Sequence, residues 1–406
     1  MVRLLAAGGV GLLAAAALWW TGSSRNPAPI AAMPSASLPD GGRMLSYRGL
    51  AIQVATGHRP LGTYGPLLEE IAALGANTVL LSVAGYMEHA TAQSIYIDAR
   101  KVPSPADFQA LIRHARELKL RPIVMPIVLL RNPRGSEWRG VIDPPDWDDW
   151  WRQYTEFVLY FADIARAGQA DALMVGSELV STEKYTARWV KVIETVRPRF
   201  GLPECGEKLG YSANWDHYRP VEFWDRLDFI GMTSYYTLAD KKGPTVEEIM
   251  AKWEPIKRDI LEWQRGIGKP LLLTEVGWCS QEGAAMAPWN YYQNQHATPA
   301  ALEEQRRLYE AFIRVWNDTP ELMGVIWWEW NASAGGPGDY GYTPKNKPAE
   351  QVLRRWFTGD VDGDVDAAAA AAPLSAAQPP AAQSSGAQPF VTPAAPTSTP
   401  AAPGAP

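Results

Sequence analysis

The sequence predicts an α/β protein: a single (β/α)8 TIM barrel over residues 43–357, between an N-terminal signal or anchor segment and a C-terminal tail. Three observations predict it. Eight short runs, apolar along nearly their whole length, recur through this stretch. Amphipathic helical patterns separate them. No glycine-rich phosphate loop follows the first run, where Ala55, Thr56, Gly57 and His58 stand instead. Strands without polar alternation, each followed by a helix, imply a parallel sheet covered on its outer face, and eight such units close a barrel. An open doubly wound sheet is the alternative, and the missing GxGxxG fingerprint argues against it. The 406 residues do not force several domains, because one such barrel commonly takes ~250.

In order, the strand runs are Gly49 to Ala55, Thr78 to Ala84, Pro122 to Leu130, Ala172 to Glu178, Leu209 to Asn214, Asp228 to Tyr235, Pro270 to Trp278 and Met323 to Asn331. The helical patterns between and after them are Pro66 to Leu74, Pro105 to Leu118, Trp147 to Ala167, Lys184 to Val196, a short one at Val221 to Arg226, Val246 to Arg265, Pro299 to Trp316 and Ala349 to Phe357. The third is the clearest: Trp147, Trp150, Tyr154, Phe157, Phe161 and Ile164 recur at three and four, behind Asp146 as N-cap.

Residues 1–42 open with Arg3 and an uncharged run from Leu4 to Trp20, then turn polar and Pro-rich. This is the pattern of a secretory signal, or of an uncleaved anchor that attaches the chain to a membrane through residues 4–20. An exported protein is expected, secreted or periplasmic. Residues 358–406 are Ala, Pro, Ser, Gln and Thr, which cannot offset the entropy of ordering, so this tail reads as disordered. Its Asp360, Asp362 and Asp364 imitate the start of a calcium loop, but Val365 and Ala371 stand where Gly and Glu are needed. The barrel topology puts Cys205 and Cys279 at opposite ends, so both are expected as free thiols. Five His and two Cys form no metal motif, and no metal or other cofactor is expected. The net charge of −6 with no basic run disfavours nucleic acid. A monomer is expected.

In this fold catalytic groups project from the C-terminal ends of strands. Strand four ends on Ser177 and Glu178, and strand seven carries Glu275 before Trp278. A carboxylate in such a place is costly without a use or a partner. Two that converge suit glycoside hydrolysis: one protonates the leaving oxygen while the other faces the oxocarbenium-like centre. Glu329 is the competing carboxylate, and Asp98 and Asp143 are less rigidly held. The 18 Trp supply rings that suit sugar faces. Tyr86, Trp138, Trp215, Tyr235, Tyr236, Trp278, Trp289, Trp328 and Trp330 fall at the predicted rim, whereas Trp147, Trp150, Trp189, Trp253, Trp263 and Trp316 fall on helical stripes and read as core. His89, Arg139 and Asn290 are loop-borne, and no pattern selects among them. An α/β-hydrolase is excluded for want of GxSxG. A barrel that binds carbohydrate without turnover is the non-enzymatic alternative.

Glu at the ends of strands four and seven is the arrangement of clan A glycoside hydrolases. The segments Leu173 to Glu183 (LMVGSELVSTE), Asp228 to Tyr236 (DFIGMTSYY), Leu272 to Trp278 (LLTEVGW) and Gly324 to Trp330 (GVIWWEW) together resemble glycoside hydrolase family 113. The resemblance covers roughly 47–357. It implies a retaining, endo-acting β-1,4-mannanase whose partner is a β-linked polysaccharide or oligosaccharide, with another β-glycan as the alternative substrate. By the same resemblance Glu178 matches the acid/base and Glu275 the nucleophile. Tyr235 or Tyr236 matches the strand-six tyrosine, and a strand-eight Trp, with Trp328 favoured, matches the platform under the −1 sugar. Many clan A enzymes carry Asn immediately before the acid/base. Here that position is Ser177, so the sugar at −1 is not carried over with the family.

Overall fold

The computed structural model describes residues 46–201, 206–292 and 294–359. The leader at 1–42, the tail from Asp360 onward and Cys205 lie outside the described residues. Eight parallel strands close a barrel in chain order: β1 (Tyr47–Val54), β2 (Thr78–Met87), β3 (Arg121–Leu130), β4 (Ala172–Ser177), β5 (Lys208–Ala213), β6 (Phe229–Thr233), β7 (Leu271–Val276) and β8 (Leu322–Trp327), with β8 pairing back to β1. The helices are α1 (Pro60–Ala73), α2 (Pro105–Glu117), α3 (Trp147–Gly168), α4 (Val180–Glu183), α5 (Thr186–Phe200), α6 (Val246–Ile267), α7 (Pro299–Trp316) and α8 (Pro348–Thr358). The predicted barrel is the observed one.

Inward-facing residues such as Ala51, Leu80, Met125, Met174, Leu272 and Ile326 fill the interior. Outward-facing residues such as Leu50, Val79, Val124, Leu173, Leu273 and Val325 pack under the helices. The barrel is therefore a filled core with chemistry left only at its ends. Asp146 caps α3 by accepting N–H bonds from Asp148 and Asp149 at 2.9 and 3.1 Å, and Thr245 with Glu248 forms a capping box at α6.

Three departures from the sequence reading have physical causes. α1 begins at Pro60, so Pro66 lies inside it and not at its start. Burial of Tyr64, Leu67, Leu68 and Ile71 outweighs the lost hydrogen bond, and the Tyr64 hydroxyl also accepts the N–H groups of Ala55 and Thr56. The helix expected at Lys184 to Val196 is α5, and a further short helix, α4, precedes it after β4. After β5 only a 3-10 turn at Trp224–Arg226 forms.

Candidate active site

Glu178 follows the last residue of β4 with φ of 52°, a left-handed conformation that a side chain adopts only under strain of about 1–3 kcal/mol. Its N–H donates to the Ser212 carbonyl at 2.8 Å, which holds it there. The carboxylate is 2 % exposed. Its Oε1 accepts from the Thr233 hydroxyl at 3.0 Å, and its Oε2 accepts from the Arg139 guanidinium. Arg139 lies in a 3-10 turn at Arg139–Val141 after β3 and donates through Nε to the Ser177 carbonyl at 3.2 Å.

Glu275 is reached by a break in strand alternation. Leu271, Leu273 and Val276 all face the helices, so three residues and not two separate the last pair, and the register with β8 shifts there. The extra residue turns the Glu275 carboxylate into the cleft. It is 5 % exposed, and its Oε2 accepts from the Tyr235 hydroxyl at 2.8 Å. β4 also shifts register, between Met174 and Ser177. Both irregularities lie just ahead of a Glu.

Burial raises the pKa of both carboxyls. For Glu178 the Arg139 charge opposes burial most strongly. For Glu275 the negative charge of Glu178 adds to burial, while Arg139 and the Tyr235 hydroxyl oppose it. Two buried carboxyls that repel one another favour a shared single proton, the state in which one acts as acid and the other as nucleophile or base. Above them lies a cleft of about 960 Å³, its open mouth included, lined by Gln53, Arg139, Tyr235, Trp328, Glu329 and Asn331 among others.

The sequence model of glycoside hydrolase family 113 matches residues 66–347. The chain belongs to glycoside hydrolase family 113. Among solved structures, a family 113 β-mannanase from Alicyclobacillus acidocaldarius in complex with ManMIm is 26 % identical, with 77 % of this chain and 97 % of that one covered and a TM-score of 0.67. Two structures of a family 113 β-1,4-mannanase, at 21 % and 22 % identity, share the fold with TM-scores of 0.66 and 0.67; each comparison covers 77 % of this chain and 98 % of the other. A comparison with curated proteins finds no match. The protein is a glycoside hydrolase.

Of the residues the sequence singled out, Glu178, Glu275, Tyr235 and Trp328 meet in this family 113 cleft. Ser177 is buried beneath it, and its Oγ has no hydrogen-bond partner among the described residues. Trp278 does not line the cleft. It is fully buried against Tyr309 and Phe312 on the helix side, because the shift in β7 turns the following residues outward. Trp330 is also turned away; its Nε1 donates to Glu70 at 2.8 Å and Lys345 lies over its ring. Trp215 stacks on Trp289, and it is Trp289 that lines the cleft. Tyr236 donates to the Trp215 carbonyl at 2.8 Å, so it supports that stack and makes no part of the lining. Tyr86 packs on Tyr96, and Trp138 precedes Arg139 without reaching the cleft. Asp98 is bound by Arg100 and Arg131. Cys279 is a buried free thiol in the cleft wall.

The sequence reading missed Gln53, Gln281, Tyr291, Tyr292, Tyr340 and Tyr342 as lining residues. Tyr291, Tyr292 and Tyr340 come from the long loops after β7 and β8. Gln281 holds them together by donating to the Tyr291 and Tyr340 carbonyls at 2.7 and 3.4 Å. The density of Tyr in 291–292 and 340–342 was the available signal.

Proposed function

We propose that the protein is a retaining β-1,4-mannanase that works by double displacement. The observation that carries this reading is the pair Glu178 and Glu275, brought to one cleft from β4 and β7 beside Trp328. Glu275 attacks the anomeric carbon and Glu178 protonates the departing oxygen. Glu178 then takes a proton from the water that releases the glycosyl intermediate. The Tyr235 hydroxyl, which bonds the Glu275 carboxylate in the free site, fixes the attacking oxygen. Thr233 and Arg139 fix the acid. Trp328 offers its ring to the sugar at the cleavage point, and Trp289, Tyr292 and Tyr340 offer further surfaces toward the mouth. The mannanase relatives support mannan as the substrate. The leader pattern at residues 1–20 supports action outside the cytoplasm.

The test is reducing-sugar release from mannan, glucomannan, cellulose-type glucan and xylan by the wild type beside Glu275→Gln. Mannan is cleaved by the wild type, and the variant loses nearly all turnover. Activity confined to another glycan replaces mannan with that substrate, and full activity in the variant removes Glu275 from its role. Glu178→Gln keeps turnover on aryl glycosides with activated leaving groups, which need no proton, while losing mannan. Equal loss on both substrates contradicts its role as acid.

A further inference from the structure

A third carboxylate in the cleft takes no part in the double displacement. Glu329 follows the strand-eight Trp328, and both line the cavity with the catalytic pair. Its side chain is partly buried, and its Oε2 accepts from the Gln53 amide at 2.5 Å, its Oε1 from the Asn331 amide at 3.3 Å. Both of these partners are neutral amides, and both line the cleft themselves. Gln53 comes from the end of β1 and Asn331 from the loop after β8. The Asn331 amide is held in this orientation because its Oδ1 accepts the Ser333 N–H at 3.0 Å.

We infer that Gln53, Glu329 and Asn331 form a specificity site that binds two neighbouring hydroxyls of the sugar lying over Trp328. The inference rests on the mannanase reading and deepens it. An ionised carboxylate has about four lone-pair sites, and two amide N–H groups leave room for two more donors. Hydroxyls are the donors that fit. Each gives a proton to Glu329 and can take one from the second N–H of a flanking amide, whereas an ammonium only donates and would face those N–H groups with like polarity. A site built on a charged acceptor discriminates strongly against a substrate lacking the matching hydroxyl, because the acceptor is then left unpaired. The competing explanation is that the Gln53 to Glu329 bond only staples β1 to β8 where the barrel closes.

The experiment measures kcat/KM of the full chain, its Glu329→Gln variant and its Gln53→Ala variant. The substrates are a parent β-manno-oligosaccharide and a set in which the hydroxyls of the sugar at the cleavage point are removed one at a time. Two adjacent deoxygenations each cost the wild type about tenfold to a hundredfold. In Glu329→Gln the parent substrate loses a similar factor and those two deoxygenations cost less than about threefold, because the lost partner is the same. Gln53→Ala shows the same coupling to one of the two. Deoxygenation penalties that stay unchanged in both variants, with a lowered melting temperature, establish the staple and overturn the inference. A wild type silent on the parent substrate overturns the mannanase reading and this inference with it.

Discussion

At the residue scale, Arg139 sets the charge balance of the site. Its guanidinium binds Glu178 and its field also reaches Glu275. In both cases a positive charge stabilises the carboxylate form and so lowers a pKa that burial raises. Removing it raises both. With the proposed roles, the acid limb of the pH–rate profile reports ionisation of Glu275 as nucleophile, and the alkaline limb reports loss of the proton from Glu178 as acid. Arg139→Gln therefore moves both limbs to higher pH, and a kcat/KM profile against pH checks it. A drop in rate with unmoved limbs would reduce Arg139 to a packing role. Nothing local in the sequence marked this residue: its partner is 39 positions away, and a loop arginine has no period to read. Glu178 and Glu275 were legible because a lone carboxylate at the end of an apolar run breaks a visible pattern.

At the element scale, irregular strand ends decide what enters the cleft. Their places at the ends of the predicted strand runs put Trp278 and Trp330 at the rim in the sequence reading. The shift on β7 turns Trp278 toward the helices instead, and Trp330 packs beside α1, where its Nε1 donates to Glu70. Bulges depend on the neighbouring strand, so the chain's own alternation does not announce them. The split between α4 and α5 has a similar long-range origin: the Tyr211 hydroxyl of β5 accepts the Leu179 N–H and donates to Glu183 at 2.6 Å. Tight packing also sets the approach to Glu178. Tyr154 of α3 donates to the Val175 carbonyl at 2.7 Å, and a Cβ on Gly176 would lie 2.6 Å from its oxygen and 2.9 Å from the Trp189 ring. Gly176→Ala thus destabilises by about 1–3 kcal/mol through overpacking and displaces Glu178. Urea midpoints and kcat measured together check this. Unchanged stability and rate would mean that the strand end is not braced by α3.

At the scale of the molecule, the two ends of the barrel divide the labour. The C-terminal ends of the strands carry strain, buried carboxyls and an open cleft, all of which cost stability. The N-terminal ends are closed by Arg121, whose Nη2 lies 2.8 Å from Asp171, and by the Tyr47 hydroxyl, which donates to the same carboxylate at 2.6 Å. Breaking a largely buried pair leaves a charge unmatched and costs about 3–5 kcal/mol. Asp171→Asn therefore lowers the melting temperature while activity per folded molecule stays at the wild-type level, because the pair lies at the far end from the cleft. Loss of activity at temperatures where the variant is fully folded would show that the two ends are coupled. Barrel order was legible because each strand is apolar on both faces and each helix on one. The lining tyrosines after β7 and β8 were marked only by a local density of Tyr, since long loops carry no periodicity.

Proposed double displacement by Glu275, with Glu178 as acid, fixes the stereochemistry of the first product. Hydrolysis of a β-manno-oligosaccharide followed by proton NMR from the first minute distinguishes the two outcomes. With double displacement the β-anomer of the new reducing end appears first and the α-anomer grows in later by mutarotation. Initial formation of the α-anomer would contradict it, because a single inversion leaves no place for Glu275 as nucleophile.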